Sequence, residues 1–368
     1  MSLKVGVVGL PNAGKTTLFN LLTRGHAEVA SYPFCTIEPN PGVVEVPDER
    51  LAILVEILSP PRVVQATIEF VDVAGLVKGA SHGEGLGNQF LSVIRGVDVV
   101  LEVLRFFGDE RIPHVMETVD PLRDQEIVDL ELVLSDLEVA ERRWEKVVEL
   151  SRKVKDEKIR AEEEILARCL SCLRQGLPLR DAGFSGEEKE ILKPYQFITL
   201  KPLFYVANLD EKEESKALFT RVRTTFEERG ITILPVFVKL EEELQDFPVD
   251  ERKAFLREFG VEDTGLHLVV QTAYRLLNFI TFYTFGDKEL RARELLRGSK
   301  APEAAGKVHS DMEKGFIKAE VINFTELVAL GSFEKARQMG HIRQEGKDYE
   351  IQDGDIVYFR FAPPRPSF

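Results

Sequence analysis

The sequence predicts an α/β protein whose doubly wound, mostly parallel sheet carries an inserted α-helical hairpin and is followed by a smaller α+β domain. Three observations predict this fold. A short apolar strand, Lys4–Val8, leads through a glycine-containing turn into a helix. Apolar residues three to four positions apart between Asp124 and Tyr195 indicate long amphipathic helices. From Phe279 onward, short strands and turns replace the long helices.

Length and composition bound the class of protein. The chain has 368 residues, enough for two or three domains, and its 44% hydrophobic and 30% charged residues are typical of a soluble protein. Three cysteines are too few for a disulfide framework, no apolar run is long enough to span a membrane, and the N-terminal strand is neither a signal nor a transit peptide. We therefore expect a cytoplasmic protein. The formal net charge of −14 argues against a protein that coats DNA or RNA through bulk charge, although a local basic face could still dock on an RNA–protein machine.

The segment Gly9–Thr16 matches the phosphate-binding pattern G-x-x-x-x-G-K-S/T in full and stands between the predicted strand and helix. Its glycines let the backbone curve around a phosphate, so that successive N–H groups point at it with the positive end of the helix dipole behind them. Lys15 is expected to reach the β- and γ-phosphates and to stabilise the charge that develops there, and Thr16 to offer its hydroxyl to Mg²⁺. The chain is therefore predicted to be a P-loop NTPase.

Two further motifs follow in the order expected of a switch NTPase. Thr36, in a proline-interrupted loop before the next strand, is the best candidate to close onto Mg²⁺ and the γ-phosphate. The strand that begins at Thr67 ends in Asp-x-x-Gly, which predicts that Asp72 holds Mg²⁺ and that the Gly75 N–H contacts the γ-phosphate.

The residue after this motif is unusual. Ras-like enzymes orient the attacking water with a glutamine at this point, whereas this chain has Leu76, which cannot hold a water. Three groups are candidates to complete catalysis: His82 in the glycine-rich segment that follows, His114 in a later loop, and a monovalent cation such as K⁺ held partly by Asn12. His114 is favoured because it follows a strand whose carboxyl end faces the nucleotide in an open α/β sheet.

The segment 124–195 predicts an arm inserted into the nucleotide-binding domain. Two amphipathic runs, separated by a charged break at Lys155–Lys158 and ended at Gly176, indicate two antiparallel helices that form a coiled-coil hairpin. Such an arm is suited to docking a partner.

The tetrad Asn208–Glu211 ends a later strand at the place where GTPases carry N-K-x-D. The terminal aspartate of that motif accepts hydrogen bonds from guanine, but here Leu209 replaces the lysine and Glu211 replaces the aspartate. Adenine has no 2-amino group and its N1 is an acceptor, so a carboxylate facing it would find no donor. The altered tetrad favours ATP over GTP.

Residues 279–364 predict a small α+β unit of the ubiquitin-grasp type. His309, Ser310 and Asp311 are adjacent in sequence and therefore cannot converge as a hydrolase triad does, so we expect the unit to bind rather than to catalyse. A local basic face is indicated by Arg337, His341, Arg343 and Lys347.

Together these motifs resemble the Obg-related P-loop proteins and, within them, the YchF or Obg-like ATPase family. The resemblance rests on Gly9–Thr16, Thr36, Asp72–Gly75 with its glycine-rich continuation to Leu91, and Asn208–Glu211. The inserted hairpin and a C-terminal unit similar to a TGS domain complete it. It covers nearly the whole chain.

This resemblance implies an ATPase of low intrinsic turnover that associates with the ribosome, at its large subunit, and regulates translation or stress responses. Carried over by position, it implies that His114, in a mobile loop, takes the role of the missing glutamine, and that Leu209 meets adenine through its backbone, beside Asn208 and Glu211. The segment Phe237–Leu240 departs from the family's S-A-K-like base loop. The phosphate contacts implied are Asn12, Ala13, Gly14, Lys15, Thr16 and Thr17, and the Mg²⁺ ligands implied are Thr16 and Thr36.

We therefore expect a monomeric ATP-hydrolysing switch with ATP and Mg²⁺ as cofactors. Its predicted domains are a nucleotide-binding domain at 1–123 and 196–278, the helical arm at 124–195, and the TGS domain at 279–364. Two alternatives stay open: a GTPase of the same fold, and a nucleotide-gated ribosome- or RNA-binding scaffold with negligible hydrolysis. A metabolic kinase is disfavoured because no site for an acceptor substrate is evident.

Overall fold

A computed structural model of the chain describes residues 3–23, 41–73, 86–286 and 288–362. The strands of these segments are β1 (Leu3–Val8), β2 (Pro41–Glu45), β3 (Val63–Val64), β4 (Thr67–Asp72), β5 (Val99–Arg105), β6 (Leu203–Asn208), β7 (Ile233–Val236), β8 (Phe279–Phe285), β9 (Leu290–Leu296), β10 (Phe316–Asn323), β11 (Arg343–Glu345) and β12 (Asp355–Phe361).

The helices of the same segments are α1 (Lys15–Thr23), α2 (Glu49–Leu58), α3 (Leu86–Arg95), α4 (Pro121–Lys153), α5 (Glu157–Arg174), α6 (Gly186–Leu192), α7 (Glu213–Glu228), α8 (Val238–Glu243), α9 (Val249–Arg257), α10 (Gly265–Leu276), α11 (Ala301–Val308), α12 (Ser310–Lys314), α13 (Phe324–Leu330) and α14 (Phe333–Gln338). None of them is long and apolar enough to cross a membrane.

The first sheet has the strand order β2-β4-β1-β5-β6-β7, and β1, β5, β6 and β7 pair in parallel. Strand β5 is buried along its whole length, as expected for a central strand covered by helices on both faces. Two hydrophobic clusters pack on the sheet. In one, α3 and α4 pack on β1 and β5, and in the other, α7, α8 and α9 pack on β5, β6 and β7. The predicted doubly wound sheet is confirmed. The carboxyl ends of β1 and β5 lie at the same edge of the sheet, where each strand is followed by a loop.

The inserted arm consists of the two predicted helices. Helix α4 starts at Pro121 with Asp120 as N-cap, and the backbone turns between its end at Lys153 and the start of α5 at Glu157. Only the later part of α4 packs against α5; its first turns, with Val128 and Leu132, belong to the core beneath the sheet. A single helix therefore joins the nucleotide-binding sheet to the arm.

The second sheet has the strand order β11-β10-β12-β8-β9-β3 and packs on α11, which confirms a C-terminal α+β unit. Contacts group the described residues within 45–68 and 270–368 into this unit, and those within 1–44 and 69–269 into the other. Residues 45–68 were predicted to belong to the nucleotide-binding domain. The structure assigns them differently because β3 pairs with β9 and because Asp48 and Arg50 bond to Tyr283 and Asp353.

A buried carboxylate caps α10. The Gly265 N–H donates to both oxygens of Glu241, at 2.9 and 2.8 Å. Glu241 as a whole residue is 5% exposed to solvent. Burial raises the pKa of Glu241 to about 7, although the Gly265 hydrogen bond and Arg252 oppose the rise and Asp263 adds to it. The folded state therefore binds this proton more tightly than the unfolded chain.

We expect this carboxylate to make the protein less stable as pH rises from about 4.5 to about 7, because the folded protein must lose a proton that it holds more tightly than the unfolded chain. The Glu241→Gln variant should lack this dependence and gain up to about 3 kcal/mol relative to wild type between pH 5 and pH 8. Urea unfolding at both pH values measures it. The exposed neighbour Glu243→Gln is the control, and an equal pH response in both variants would contradict the assignment.

Candidate functional site: a phosphate-binding loop in a cleft

Two glycines of the loop between β1 and α1 occupy positions that no other residue could take. Gly9 has φ of +141°, and a Cβ there would lie 2.5 Å from the Val103 carbonyl oxygen. Gly14 has φ of +96°, and its Cβ would lie 2.1 Å from the Asn208 side-chain nitrogen. Side chains at these positions would push the loop off the strands below it. The sequence motif is therefore a geometric requirement of this loop.

Lys15 is the cation of the loop. Its residue is 6% exposed, and its Nζ donates to the Leu10 carbonyl at 2.7 Å across the base of the loop. Burial lowers the pKa of Lys15 to about 8, and the negative charge of Asp72 opposes this change. An anion bound in the loop would favour the charged ammonium, so the site is complementary to phosphate.

The predicted Mg²⁺ ligands Thr16 and Asp72 come together. The Thr16 hydroxyl donates to Asp72 Oδ2 at 2.9 Å, and Asp72 Oδ1 is buried without a partner in the part of the chain that the structure describes. Within those same segments, no group of three or more His, Cys, Asp or Glu side chains could hold a metal alone. Two hard oxygens beside a phosphate loop suit Mg²⁺, which takes its other ligands from phosphate and water.

The tetrad Asn208–Glu211 lines the same cleft as the phosphate loop and contacts it. The Asn208 side chain donates to the Ala13 carbonyl at 3.0 Å and so ties the tetrad to the loop. The Leu209 side chain is buried in the core under β6, and its N–H donates to the Val236 carbonyl at 2.9 Å. Glu211 is exposed at the cleft wall. Leu209 can therefore offer a base its carbonyl oxygen, an acceptor, but not its N–H.

The loop after β5 forms the third wall of the cleft. Arg105, 3% exposed, donates to the carbonyls of Phe107 at 3.0 Å and Ile112 at 2.8 Å, and its guanidinium lies 4.3 Å from the Phe107 ring centroid. Burial lowers its pKa, and its Nη1 has no partner among the described residues. Asn12 of the phosphate loop donates to the Pro113 carbonyl at 3.0 Å. Arg105 and Asn12 thus hold this loop against the phosphate site.

His114 borders the cleft, but its ring is turned away from it. The side chain is 3% exposed, and its two nitrogens bond to the Asp124 carboxylate and to the Met116 N–H. In this arrangement neither ring nitrogen is available to a nucleotide. Its catalytic role therefore stays a prediction that requires a local rearrangement.

The cleft has a volume of 1520 Å³ and brings together most of the predicted site residues. Its walls include Asn12, Gly14, Lys15, Thr16, Thr17, His114, Asn208, Leu209 and Glu211. Ala13 and Asp72 are attached to it through Asn208 and Thr16. Thr36, Gly75 and His82 lie outside the described residues. Arg105 and Asp124 were not predicted as site residues. For Arg105 the sequence did contain a signal, because a charged residue within an apolar strand indicates a special role.

The phosphate loop, the Thr16–Asp72 pair beside it and the parallel sheet define a P-loop nucleotide-binding protein. Residues 4–137 match a family described as 50S ribosome-binding GTPase, and residues 279–362 match the C-terminal family of YchF GTPases, described as a protein of unknown function.

Full-length relatives settle the family. The chain is 43% identical to the ribosome-binding ATPase YchF of Bacillus subtilis, over 98% of this chain and 100% of that one, and 44% identical to that of Haemophilus influenzae, over 98% and 99%. The solved structure of the Schizosaccharomyces pombe YchF GTPase superposes with a TM-score of 0.84 at 34% identity and covers 98% of both chains. The chain belongs to the YchF family, which confirms the resemblance.

Proposed function

We propose that this chain is an ATP-hydrolysing molecular switch that binds the ribosome. The observation that carries the proposal is a cleft in which a buried phosphate-loop lysine, Lys15, faces a base-binding tetrad without the lysine and aspartate that read guanine. The relatives' name, ribosome-binding ATPase, supports both halves of the proposal.

The proposed preference for ATP rests on the groups that Leu209 and Glu211 present. The N–H of Leu209 is used by β7, so its carbonyl is the backbone group that can meet a base. A carbonyl accepts from the 6-amino group of adenine but faces an acceptor at the 6-oxygen of guanine. Glu211 replaces the aspartate that would pair with guanine. The Leu209 carbonyl favours adenine, and the extra methylene of Glu211 moves its carboxylate away from the position from which aspartate pairs with guanine.

The alternative that specific observations favour is a GTPase. The matching N-terminal family is described as a GTPase, and the fission yeast structure is titled one. The scaffold alternative draws on the absence of a water-orienting glutamine at Leu76.

In the proposed mechanism, Lys15 and the loop N–H groups hold the β- and γ-phosphates while water attacks the γ-phosphorus in line. Thr16 and Asp72 would hold Mg²⁺, with Thr36 proposed as a further ligand, and the ion would supply positive charge to offset the charge on the phosphates. His114 is proposed to orient the water in place of the missing glutamine. A K⁺ ion held partly by Asn12 is the other candidate for the missing charge.

The remaining proposals concern partners and location. We infer that the chain docks on the large ribosomal subunit as a monomer in the cytoplasm, without binding DNA or a membrane. The net charge of −14 means that docking would use local basic residues rather than bulk charge. We further propose that such docking regulates translation or a stress response.

Competition between nucleotides tests the proposed function. Nucleotide-free protein is titrated with fluorescent ATP and GTP analogues, each competed by the other unlabelled nucleotide. We expect ATP to be preferred by about ten- to a hundredfold, since well-placed hydrogen bonds to a base edge discriminate by roughly 1–3 kcal/mol. The Glu211→Asp variant restores the aspartate of N-K-x-D at an exposed position, without placing a charge at the buried Leu209, and should shift the preference toward GTP.

The control variant is Glu214→Asp, the same chemical change on the exposed first turn of α7, which should alter neither affinity. A wild-type preference for GTP would replace the proposal by the GTPase alternative. Hydrolysis no faster than background, with ribosomes and K⁺ present, would support the scaffold instead.

A further inference from the structure

The hydrogen bonds of His114 define the position of its proton. A backbone N–H can only donate, so the Met116 N–H at 3.0 Å from Nδ1 requires that Nδ1 carry a lone pair. The proton of the neutral ring then lies on Nε2, which donates to Asp124 Oδ2 at 2.8 Å. The ring is thus held as one tautomer by one carboxylate and by its own loop.

Asp124 is itself held in place from the other side. It lies in the first turn of α4, and its side chain is 4% exposed. Its Oδ1 accepts from the Arg123 guanidinium, at 3.0 Å from Nη2 and 3.3 Å from Nε. Arg123 in turn donates to the Thr118 carbonyl and hydroxyl, at 2.6 and 3.0 Å. The carboxylate is therefore oriented by groups other than the histidine.

The backbone of His114 is adjacent to the phosphate loop even though its ring faces α4. The carbonyl of Pro113, the preceding residue, accepts from the Asn12 side chain at 3.0 Å. Arg105 holds the same loop from inside through the Phe107 and Ile112 carbonyls.

We propose that Asp124 is a positioning residue for ATP hydrolysis: it keeps the proton of His114 on Nε2, so that Nδ1 is the lone pair offered to the attacking water. In the described conformation the Met116 N–H occupies Nδ1 and the ring is turned away from the cleft, so the step requires that this hydrogen bond break and the loop rearrange. An aspartate that fixes the tautomer of a histidine is a recurrent catalytic arrangement. The inference rests on the proposed function.

The step that this arrangement serves is balanced. The water oxygen forms a bond to the γ-phosphorus, and one water proton moves to Nδ1. The bond from that phosphorus to the β,γ-bridging oxygen breaks, and its electron pair leaves with ADP. The imidazolium that forms is stabilised by the Asp124 carboxylate and later returns the proton to phosphate or solvent.

The test compares Asp124→Asn, His114→Ala and their double variant in steady-state ATP hydrolysis. An asparagine of the same shape no longer dictates the tautomer, so Asp124→Asn should lower kcat by about 10- to 100-fold with KM for ATP nearly unchanged. In the His114→Ala background the same substitution should have no further effect. Asp120→Asn, at the N-cap of α4 where both residues cap well, is the matched control and should hydrolyse ATP at the wild-type rate.

A readout independent of hydrolysis completes the design. Nitrogen-15 NMR of the wild-type protein with a non-hydrolysable ATP analogue bound should show His114 as the Nε2–H tautomer. In the same complex Asp124→Asn should shift that population, because the proposal has the Met116 N–H released from Nδ1 there. A different wild-type tautomer, a wild-type kcat in Asp124→Asn, or an equal loss in both backgrounds would each overturn the inference. Failure of the proposed function has another signature, which is no hydrolysis by the wild type while the NMR result stands. If Asp124→Asn does not fold, Asp124→Glu replaces it: this variant keeps a carboxylate and should keep the Nε2–H tautomer, and loss of that tautomer would overturn the inference.

Discussion

The Lys15→Ala variant is expected to lose ATP hydrolysis by on the order of 10³-fold while remaining folded. Lys15 is the buried cation of the phosphate loop, and its Nζ donates to the Leu10 carbonyl. Its charge is held in a desolvated position, as the lowered pKa of about 8 indicates, and acts there more strongly than a solvated lysine could. Removing it leaves the charge that develops on the γ-phosphate without its nearest partner.

Folding should not suffer, because burying an ammonium opposes folding and alanine removes that cost. Hydrolysis is measured by phosphate release at saturating ATP, and folding by thermal unfolding without nucleotide. Lys239→Ala is the matched control, since Lys239 lines the same cleft but is exposed. Equal losses in the two variants would mean that general positive charge in the cleft, rather than the position of Lys15, supports the reaction.

The parts of the site that the sequence predicted are those in which local chemistry dictates the residue. Glycine is required at positions 9 and 14 because φ is positive there and because a Cβ would lie 2.1–2.5 Å from another atom. A sequence motif can therefore identify these positions. Thr16 and Asp72 were predicted to share Mg²⁺, and they share a hydrogen bond. The helices of the arm followed from periodicity alone. In each case few residues, close in sequence or fixed by motif order, carry the information.

The parts that were missed depend on contacts between distant segments. Asp124 lies in the first turn of α4, where acidic residues are common, so its sequence position did not indicate that it bonds to the ring of His114. Residues 45–68 belong with the C-terminal unit because Asp48 meets Tyr283, a pairing that no local pattern encodes. The ring orientation of His114 likewise follows from tertiary packing, so the sequence could name the residue but not its resting state.

The Asp136→Ala variant is expected to lose about 3–5 kcal/mol of unfolding free energy, the range for breaking a buried ion pair by removing one partner. Asp136 is fully buried on α4 and accepts from Arg95 at 2.8 Å, from the Ile198 N–H at 3.0 Å, and from the N–H and hydroxyl of Thr199 at 2.7 and 2.8 Å. Alanine would leave three donors, the Ile198 N–H and the N–H and hydroxyl of Thr199, without this acceptor. Arg95 would lose its ion pair but keep its hydrogen bonds to Ser135 and the Gln196 carbonyl.

Urea unfolding measures the loss, with Glu138→Ala, an exposed acid on the same helix, as the control expected within about 0.5 kcal/mol of wild type. Asp136→Asn separates charge from shape: its amide keeps one acceptor but turns an N–H₂ toward donors, so it should be nearly as damaging. A loss below about 1 kcal/mol in both variants would contradict the argument. Because Arg95 is the last residue of α3, a large loss would show that this ion pair adds to the apolar packing between α3 and α4.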